Sequence, residues 1–473
     1  MQFKCYNKDG KLKEWFFVLK RKAYNSITKW YNKNLKKCLL VDGARQIGKT
    51  YIIRKFLEEN SKSFVEFNLY DDNLAKEAFE KADSAKDLLL KMSVLTNKPL
   101  IKGETIIFID EVQVVDDIIT KVKFLIEEGS YRYILSGSLL GVSYKNVDSL
   151  PVGYMDVLEM FPLDFEEFAI ANGVSDEILS YLKECYINRK KVDETVNQQM
   201  IKLFNLYTIV GGFPEAVDSF LKTNNLQNVY YVHETINKLY KMDIAKYSTK
   251  DSLLIKDIYT LIPSELNNQN KRFILKNLNE KARFYQYEES FVWLINSNIG
   301  LFTYNIDNPE YPLLASKERT LFKLFLCDTG LLTHQLYDTN IAKILNNDVN
   351  VNFGAIYENV VAQELKAHKF DLFYYNNKKR GEVDFIIEDG VEIIPIEVKS
   401  GKDYKRHVAL DNLLSNSEYN IKKAYTLCNG NVEVVDNRIY IPIYMIMFFE
   451  KKTIENNIIN FDFSVLKQKR INN

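Results

Sequence analysis

The chain is poor in the side chains that usually bind transition metals. Its 473 residues include five cysteines and four histidines. Cys5, Cys38, Cys185, Cys327 and Cys428 lie far apart with no C-x-x-C pair. That spacing argues against a disulfide framework or a zinc site, and sets the expectation of reduced thiols in a cytoplasmic protein. Neither sign of charge is in excess, with 63 Lys plus Arg against 63 Asp plus Glu. Bulk electrostatics therefore give no support for a nucleic-acid partner, and any such surface has to be a local patch. Long apolar runs are absent too. The longest, Ile439 to Phe449, is interrupted by Pro442 and is too short to span a bilayer, so a buried strand is expected and no membrane partner. The first residues are polar and lack the apolar stretch of a signal peptide. There is no internal repeat and no long low-complexity segment.

What is present is a globular composition, 46% hydrophobic, in a chain too long for one core. Two to four domains are expected. The strongest local pattern is Gly43, Ala44, Arg45, Gln46, Ile47, Gly48, Lys49 and Thr50, which matches G-x-x-x-x-G-K-[ST]. A short apolar run, Cys38 to Val41, precedes it as a strand, and the residues from Thr50 onward read as a helix. Backbone N–H groups of such a loop form an anion nest, with the positive end of the following helix aimed at the same point. Gly43 and Gly48 are expected to let backbone approach phosphate oxygens. Lys49 can reach the β- and γ-phosphates, and the Thr50 hydroxyl can ligate Mg²⁺.

Such a loop needs an acidic partner at the end of a neighbouring strand. Thr105 to Glu111 supplies four apolar residues, then Asp110 and Glu111 at the carboxyl end, where open α/β sheets place ligands. Asp110 is expected to hold the Mg²⁺ shell and Glu111 to polarise the attacking water. A third strand, Tyr133 to Leu135, ends in Ser136-Gly137-Ser138. Ser138 is a candidate sensor of the γ-phosphate, against the plainer reading that Ser-Gly simply turns the chain.

Residues 1–35 read as a charged amphipathic helical lead-in, 36–160 as the nucleotide-binding core, and 161–245 as a helical lid. The lid opens on Asp164 and Glu167 at capping-box spacing. Residues 246–345 alternate helices with an Asn-rich turn and a strand, in the order of a winged-helix unit. Lys271, Arg272, Lys276, Lys281 and Arg283 make that region locally basic, as a backbone-binding surface or as a solvated face. Asn346 to Asn352 reads as a linker to a last unit, 346–473.

There Asp384 and, across an Asp389-Gly390 turn, Glu397 and Lys399 lie inside apolar strands. Buried charges need partners. One account is a metal site, with Glu358 approaching from the preceding helix to join Asp384 and Glu397 around Mg²⁺, and Lys399 orienting water. The other is a cross-strand ion pair.

Together, GARQIGKT, FIDEVQ, SGSLLG, PLDFEEF, GGFPEAV, FKLFLCDTGL, the segment from Gly354 to Leu365 and the GEVDF…EVK hairpin resemble a family of prokaryotic AAA-type ATPases. Its C-terminal domain, formally of unknown function, has a PD-(D/E)XK nuclease-like fold. The resemblance implies an α/β protein: a P-loop AAA core with helical lid, a winged-helix-like middle region and a C-terminal restriction-endonuclease-like α/β domain. It implies ATP and Mg²⁺ as ligands, and leaves DNA, RNA or a protein as the partner. Tyr154 stands where many members carry a basic residue, so Arg45, Arg54 and Arg132 are the candidate cations for the γ-phosphate.

Overall fold

The computed structural model describes residues 19–137, 153–247, 251–340, 344, 351–401 and 403–452. Ser138 lies outside them, as do the first eighteen residues of the expected lead-in and most of the expected linker.

The lead-in helix α1 (Lys22–Lys33) buries Ile27 and Trp30. The chain then winds through β1 (Cys38–Asp42), α2 (Lys49–Asn60), β2 (Ser63–Asn68), α3 (Asn73–Glu80), α4 (Ala85–Leu95), β3 (Thr105–Asp110), α5 (Ile118–Glu128), β4 (Arg132–Gly137) and β5 (Met155–Glu159). The strands pair in the order β2-β3-β4-β1-β5, every pair parallel. Both faces are covered by helices, and the continuous apolar runs of β1 and β3 follow from burial on both sides. The neighbour of β1 is β4 rather than β3. The carboxyl end of β4 therefore stands between the loop after β1 and the acids that end β3.

Five helices follow: α6 (Phe165–Ala171), α7 (Asp176–Asn188), α8 (Glu194–Val210), α9 (Pro214–Thr223) and α10 (Leu226–Tyr247). Asp164 caps α6, and its capping box with Glu167 is formed in full. Pro214 occupies the first turn of α9, where its missing N–H costs nothing.

Next come α11 (Asp251–Asn267), α12 (Glu288–Asn296), β6 (Gly300–Ile306), β7 (Lys317–Leu326) and α13 (Thr329–Tyr337). Helix α12 is short, because Phe284–Gln286 before it forms a separate 3-10 turn. The hairpin β6–β7 is not a free wing. It hydrogen-bonds through β6 to β8 and forms one edge of the C-terminal sheet, so the boundary expected near 346 falls inside a single sheet.

The remaining elements are α14 (Phe353–Ala367), β8 (Phe373–Asn377), β9 (Gly381–Asp389), β10 (Glu392–Lys399), α15 (Val408–Leu414), β11 (Ala424–Cys428), β12 (Glu433–Val435) and β13 (Arg438–Pro442). The eight-stranded mixed sheet runs β12-β13-β11-β10-β9-β8-β6-β7. The turn at Asp389-Gly390 closes a hairpin in which Asp389 pairs with Glu392. The apolar run from Ile439 is a strand only as far as Pro442, after which Ile443–Phe448 coils into a buried 3-10 helix. Among the described residues, no helix is long and apolar enough to cross a membrane.

Helix α14 is buried on every side from Ala355 to Leu365. Its polar side chains have to find partners inside the protein, and three of them tie down other segments. Asn359 takes the N–H of Leu326 and gives its amide to the Leu326 carbonyl. Gln363 takes the N–H of Thr329 and donates to the Tyr207 hydroxyl. Glu364 takes the N–H of Phe165 at 2.8 Å.

Candidate functional site

The loop from Gly43 to Gly48 turns through three left-handed residues, Gly43 (φ 154), Gln46 (φ 66) and Gly48 (φ 87). Gly48 begins α2 with no side-chain cap, which leaves the N–H groups of the first turn available to an anion. The structure adds a second reason for Gly43. A Cβ there would lie 2.2 Å from the Met160 carbonyl oxygen and 2.6 Å from Ile47 Cδ1. The chain leaving β5 thus demands a glycine here independently of any phosphate.

Lys49 is buried at 8% exposure. Its ammonium donates to the carbonyls of Gly43 and Ala44, both at 2.8 Å. Burial lowers its pKa, and nearby Glu111, Asp42 and Asp110 oppose that shift. Thr50 Oγ1 donates to Asp110 Oδ2 at 2.8 Å. The other Asp110 oxygen accepts the Ser136 hydroxyl and the Glu111 N–H. Ser136 at the end of β4 is thus a small hydroxyl that meets Asp110, whereas Ser138, the expected sensor of the γ-phosphate, lies outside the described residues.

Glu111 sits in the left-handed region (φ 55), which turns the chain out of β3. Its carboxylate accepts the Gln113 amide and lies 4.0 Å from Arg45 Nη2. The three candidate arginines separate cleanly. Arg54 forks onto Glu66. Arg132 lies at the amino end of β4, away from the loop, stacked 4.5 Å from the centre of the Trp30 ring. Arg45 remains beside Glu111, with its other nitrogen held by Asp243 of α10 at 2.6 Å. Tyr154 is engaged far from the loop, donating to Glu127 of α5.

Behind the loop lies a residue that sequence reasoning missed. Arg21 donates to the Ile47 carbonyl at 3.0 Å, the Phe161 carbonyl at 2.6 Å and Glu167 at 3.1 Å. Its partner Glu167 belongs to the motif PLDFEEF, so that motif braces the loop from behind. On another side Asn298, in the turn before β6, donates to Asp42 at 3.1 Å, tying the end of β1 to the C-terminal sheet.

In that sheet the structure does bring Glu358, Asp384, Glu397 and Lys399 together, but around lysine. The ladder between β9 and β10 is registered as far as Ile396 opposite Phe385, and beyond it the Asp384 carboxylate accepts the Val398 N–H at 2.8 Å. Lys323 of β7, 0% exposed, reaches Glu358 at 3.2 Å, Glu382 at 2.8 Å and Asp384 at 3.9 Å. Lys271 binds the other Glu358 oxygen, and Lys399 binds Glu397 at 2.6 Å. Burial would raise the Glu358 pKa, but Lys323 and Lys271 outweigh it and hold the group below its ordinary value. Burial, with Glu358 and Glu397 adding to it, pushes Asp384 well up. The metal expectation at Glu358, Asp384 and Glu397 does not fit. Among the described residues no three His, Cys, Asp or Glu side chains are grouped to hold a metal ion. Lys323 and Glu382 were missed, although Lys323 is a charge inside an apolar strand, the same signal that drew attention to Asp384. Lys271, counted above in a basic surface, is spent on this cluster. Lys276, Lys281 and Arg283 are exposed.

Residues 35–169 match the family model of an AAA domain. This part of the chain is an AAA-type, ATPase-like domain. Two domains of unknown function also match, DUF8612 over 201–342 and DUF4143 over 353–446. No curated protein matches the chain. Among solved structures, the Walker-type ATPase PABY2304 of Pyrococcus abyssi is 13% identical, with a TM-score of 0.42 over 67% of this chain and 96% of its own. The Aeropyrum pernix ORC1 protein, solved in complex with DNA, is 12% identical, with a TM-score of 0.30 over 71% of this chain and 95% of its own.

Proposed function

We propose that the chain binds ATP with Mg²⁺ at the loop from Gly43 to Thr50 and hydrolyses it. The observation that carries this reading is the hydrogen bond from Thr50, in the first turn of α2, to Asp110 at the end of β3, beside a buried Lys49. That hydroxyl and carboxylate would hold Mg²⁺, which when bound supplies charge neutralisation at the phosphates. Lys49 would exchange its two loop carbonyls for phosphate oxygens. Glu111 would accept the proton of the attacking water. Arg45 would offset charge at the γ-phosphate, and its bond to Asp243 would carry the nucleotide state into the lid.

A second reading, an ATP-gated switch with little turnover, is favoured by the engagement of Glu111 with Gln113 and Arg45. Nucleotide titration and ATP turnover separate the two, measured with and without single- and double-stranded nucleic acid. Lys49→Ala should lose binding, whereas Glu111→Gln should keep binding and stop turnover. Equal ATP affinity of wild type and Lys49→Ala would sink the assignment. Binding without turnover in the wild type would select the switch.

A further inference from the structure

The acidic pocket of the C-terminal sheet gathers four carboxylates from three elements: Glu358 of α14, Glu382 and Asp384 of β9, and Glu397 of β10. Seven of their eight oxygens face a donor within 4.0 Å. Lys271 and Lys323 take the two of Glu358, and Lys323 and Asn376 take those of Glu382. Lys323 and the Val398 N–H face those of Asp384, and Lys399 takes one of Glu397. Glu397 Oε2 is left buried without a donor.

We propose that this pocket is a metal-independent ionic joint, in which the Lys323 ammonium stands where a divalent cation would otherwise be held. The geometry gives two reasons. Lys323 is completely buried and reaches three carboxylates at once. A Mg²⁺ ion takes about six oxygens at about 2.0–2.1 Å, and would have to strip the donors already bound to most of these. The second reason is repulsion. An ammonium and a divalent ion about 4 Å apart in a buried pocket repel strongly, so one of them has to leave. Lys323 comes from the β6–β7 hairpin and Lys271 from the loop after α11, while the acids belong to the elements after residue 352. The joint therefore fastens the middle region to the C-terminal strands by charge, where an ion-binding pocket would serve catalysis.

The test is a Mn²⁺ titration of the nucleotide-free full-length protein, with bound ion counted from the loss of the free-ion EPR signal. Wild type and Asp384→Asn should bind the same number of ions, since any ion held at Thr50 and Asp110 is common to both. Lys323→Gln should bind one more, and Lys323→Gln with Asp384→Asn should lose it again. If wild type loses an ion on Asp384→Asn, the pocket is a metal site and the proposal is overturned; this comparison does not require the Lys323 variant to fold. A folded Lys323→Gln that gains no ion would equally overturn the idea that the ammonium fills a cation position. Failure of ATP binding would leave all these results unaffected.

Discussion

Arg21 offers the sharpest test of how the phosphate loop is held. Its guanidinium side chain and the Glu167 carboxylate are each 6% exposed, so solvent screening of the pair is small. The fork satisfies Glu167 and two backbone carbonyls, one of them Ile47 inside the loop. Replacing Arg21 by Ala takes the cation from a buried carboxylate and the donor from one buried and one partly buried carbonyl. Breaking one side of a buried pair costs about 3–5 kcal/mol. The loss belongs at the lower end, because burial already raises Glu167 against the opposing pull of Arg21. Once Arg21 is gone, that carboxyl can take up a proton instead of staying charged. Arg21→Lys keeps the charge but has no planar fork, so at least one carbonyl loses its donor, at about 1–3 kcal/mol. Urea denaturation at pH 7 with a tryptophan signal gives the stability order, wild type above Lys above Ala. ATP titration should show weaker binding in the same order, because the Ile47 carbonyl is no longer anchored. An Arg21→Ala protein within about 1 kcal/mol of wild type, smaller than any buried-pair loss, with unchanged ATP affinity, would refute the bracing argument.

Other expectations follow from single sites. Burial first, then Asp164, lifts Glu364 to about 7, against His368, Lys22 and the Phe165 N–H. Its folded value lies above its unfolded one, so its contribution to stability is complete below about pH 4.3 and lost as pH rises through about 7. Glu364→Gln should flatten the stability–pH curve across that window and gain on the order of 3 kcal/mol at pH 8, read by denaturation at several pH values. Gly43→Ala should destabilise by about 1–3 kcal/mol even without nucleotide, because its Cβ meets the Met160 carbonyl; a loss seen only with ATP present would refute the packing reason and leave phosphate approach alone. If the exposed Lys276, Lys281 and Arg283 touch nucleic acid backbone, reversing their charges should make the salt dependence of binding shallower by about one unit of slope per lost contact. An unchanged slope would assign them to a solvated face.

The AAA-type domain of this molecule was legible because its signals are local. A strand, a glycine loop and a helix follow one another in sequence, and Asp110 and Glu111 announce themselves by ending an apolar run. What stayed hidden depends on pairing between distant segments. Ser136 meets Asp110 because β4 is inserted between β1 and β3, and no spacing in the sequence encodes that order. Arg21 reaches a glutamate 146 positions away, and nothing around it distinguishes it from neighbouring lysines. The C-terminal cluster was half legible. The parity of Glu397 and Lys399 and the turn at Asp389-Gly390 place the acids together, but the cation that fills them comes from a strand read as part of another unit.

Helix α14 explains why the chain's separate motifs belong to one structure. The polar side chains of a helix buried all round need partners inside the protein, and an apolar replacement of Asn359, Gln363 or Glu364 would leave its partner backbone bare. These partners are the end of β7, the start of α13 and the start of α6. The start of α6 is the segment whose Glu167 holds Arg21, and Arg21 holds the loop at Ile47. The Leu163 N–H bonds the Gly212 carbonyl, and the Gly212 N–H bonds Asp328, which caps α13. A Cβ on Gly212 would lie 2.1 Å from the Leu163 carbonyl oxygen, so these backbones touch without intervening side chains. Backbone-to-backbone packing of this kind transmits displacement with little slack, because close-packed interiors have low compressibility. A continuous chain of bonded groups therefore joins the loop at Ile47 to α14 and, through Glu358, to the lysine-filled pocket.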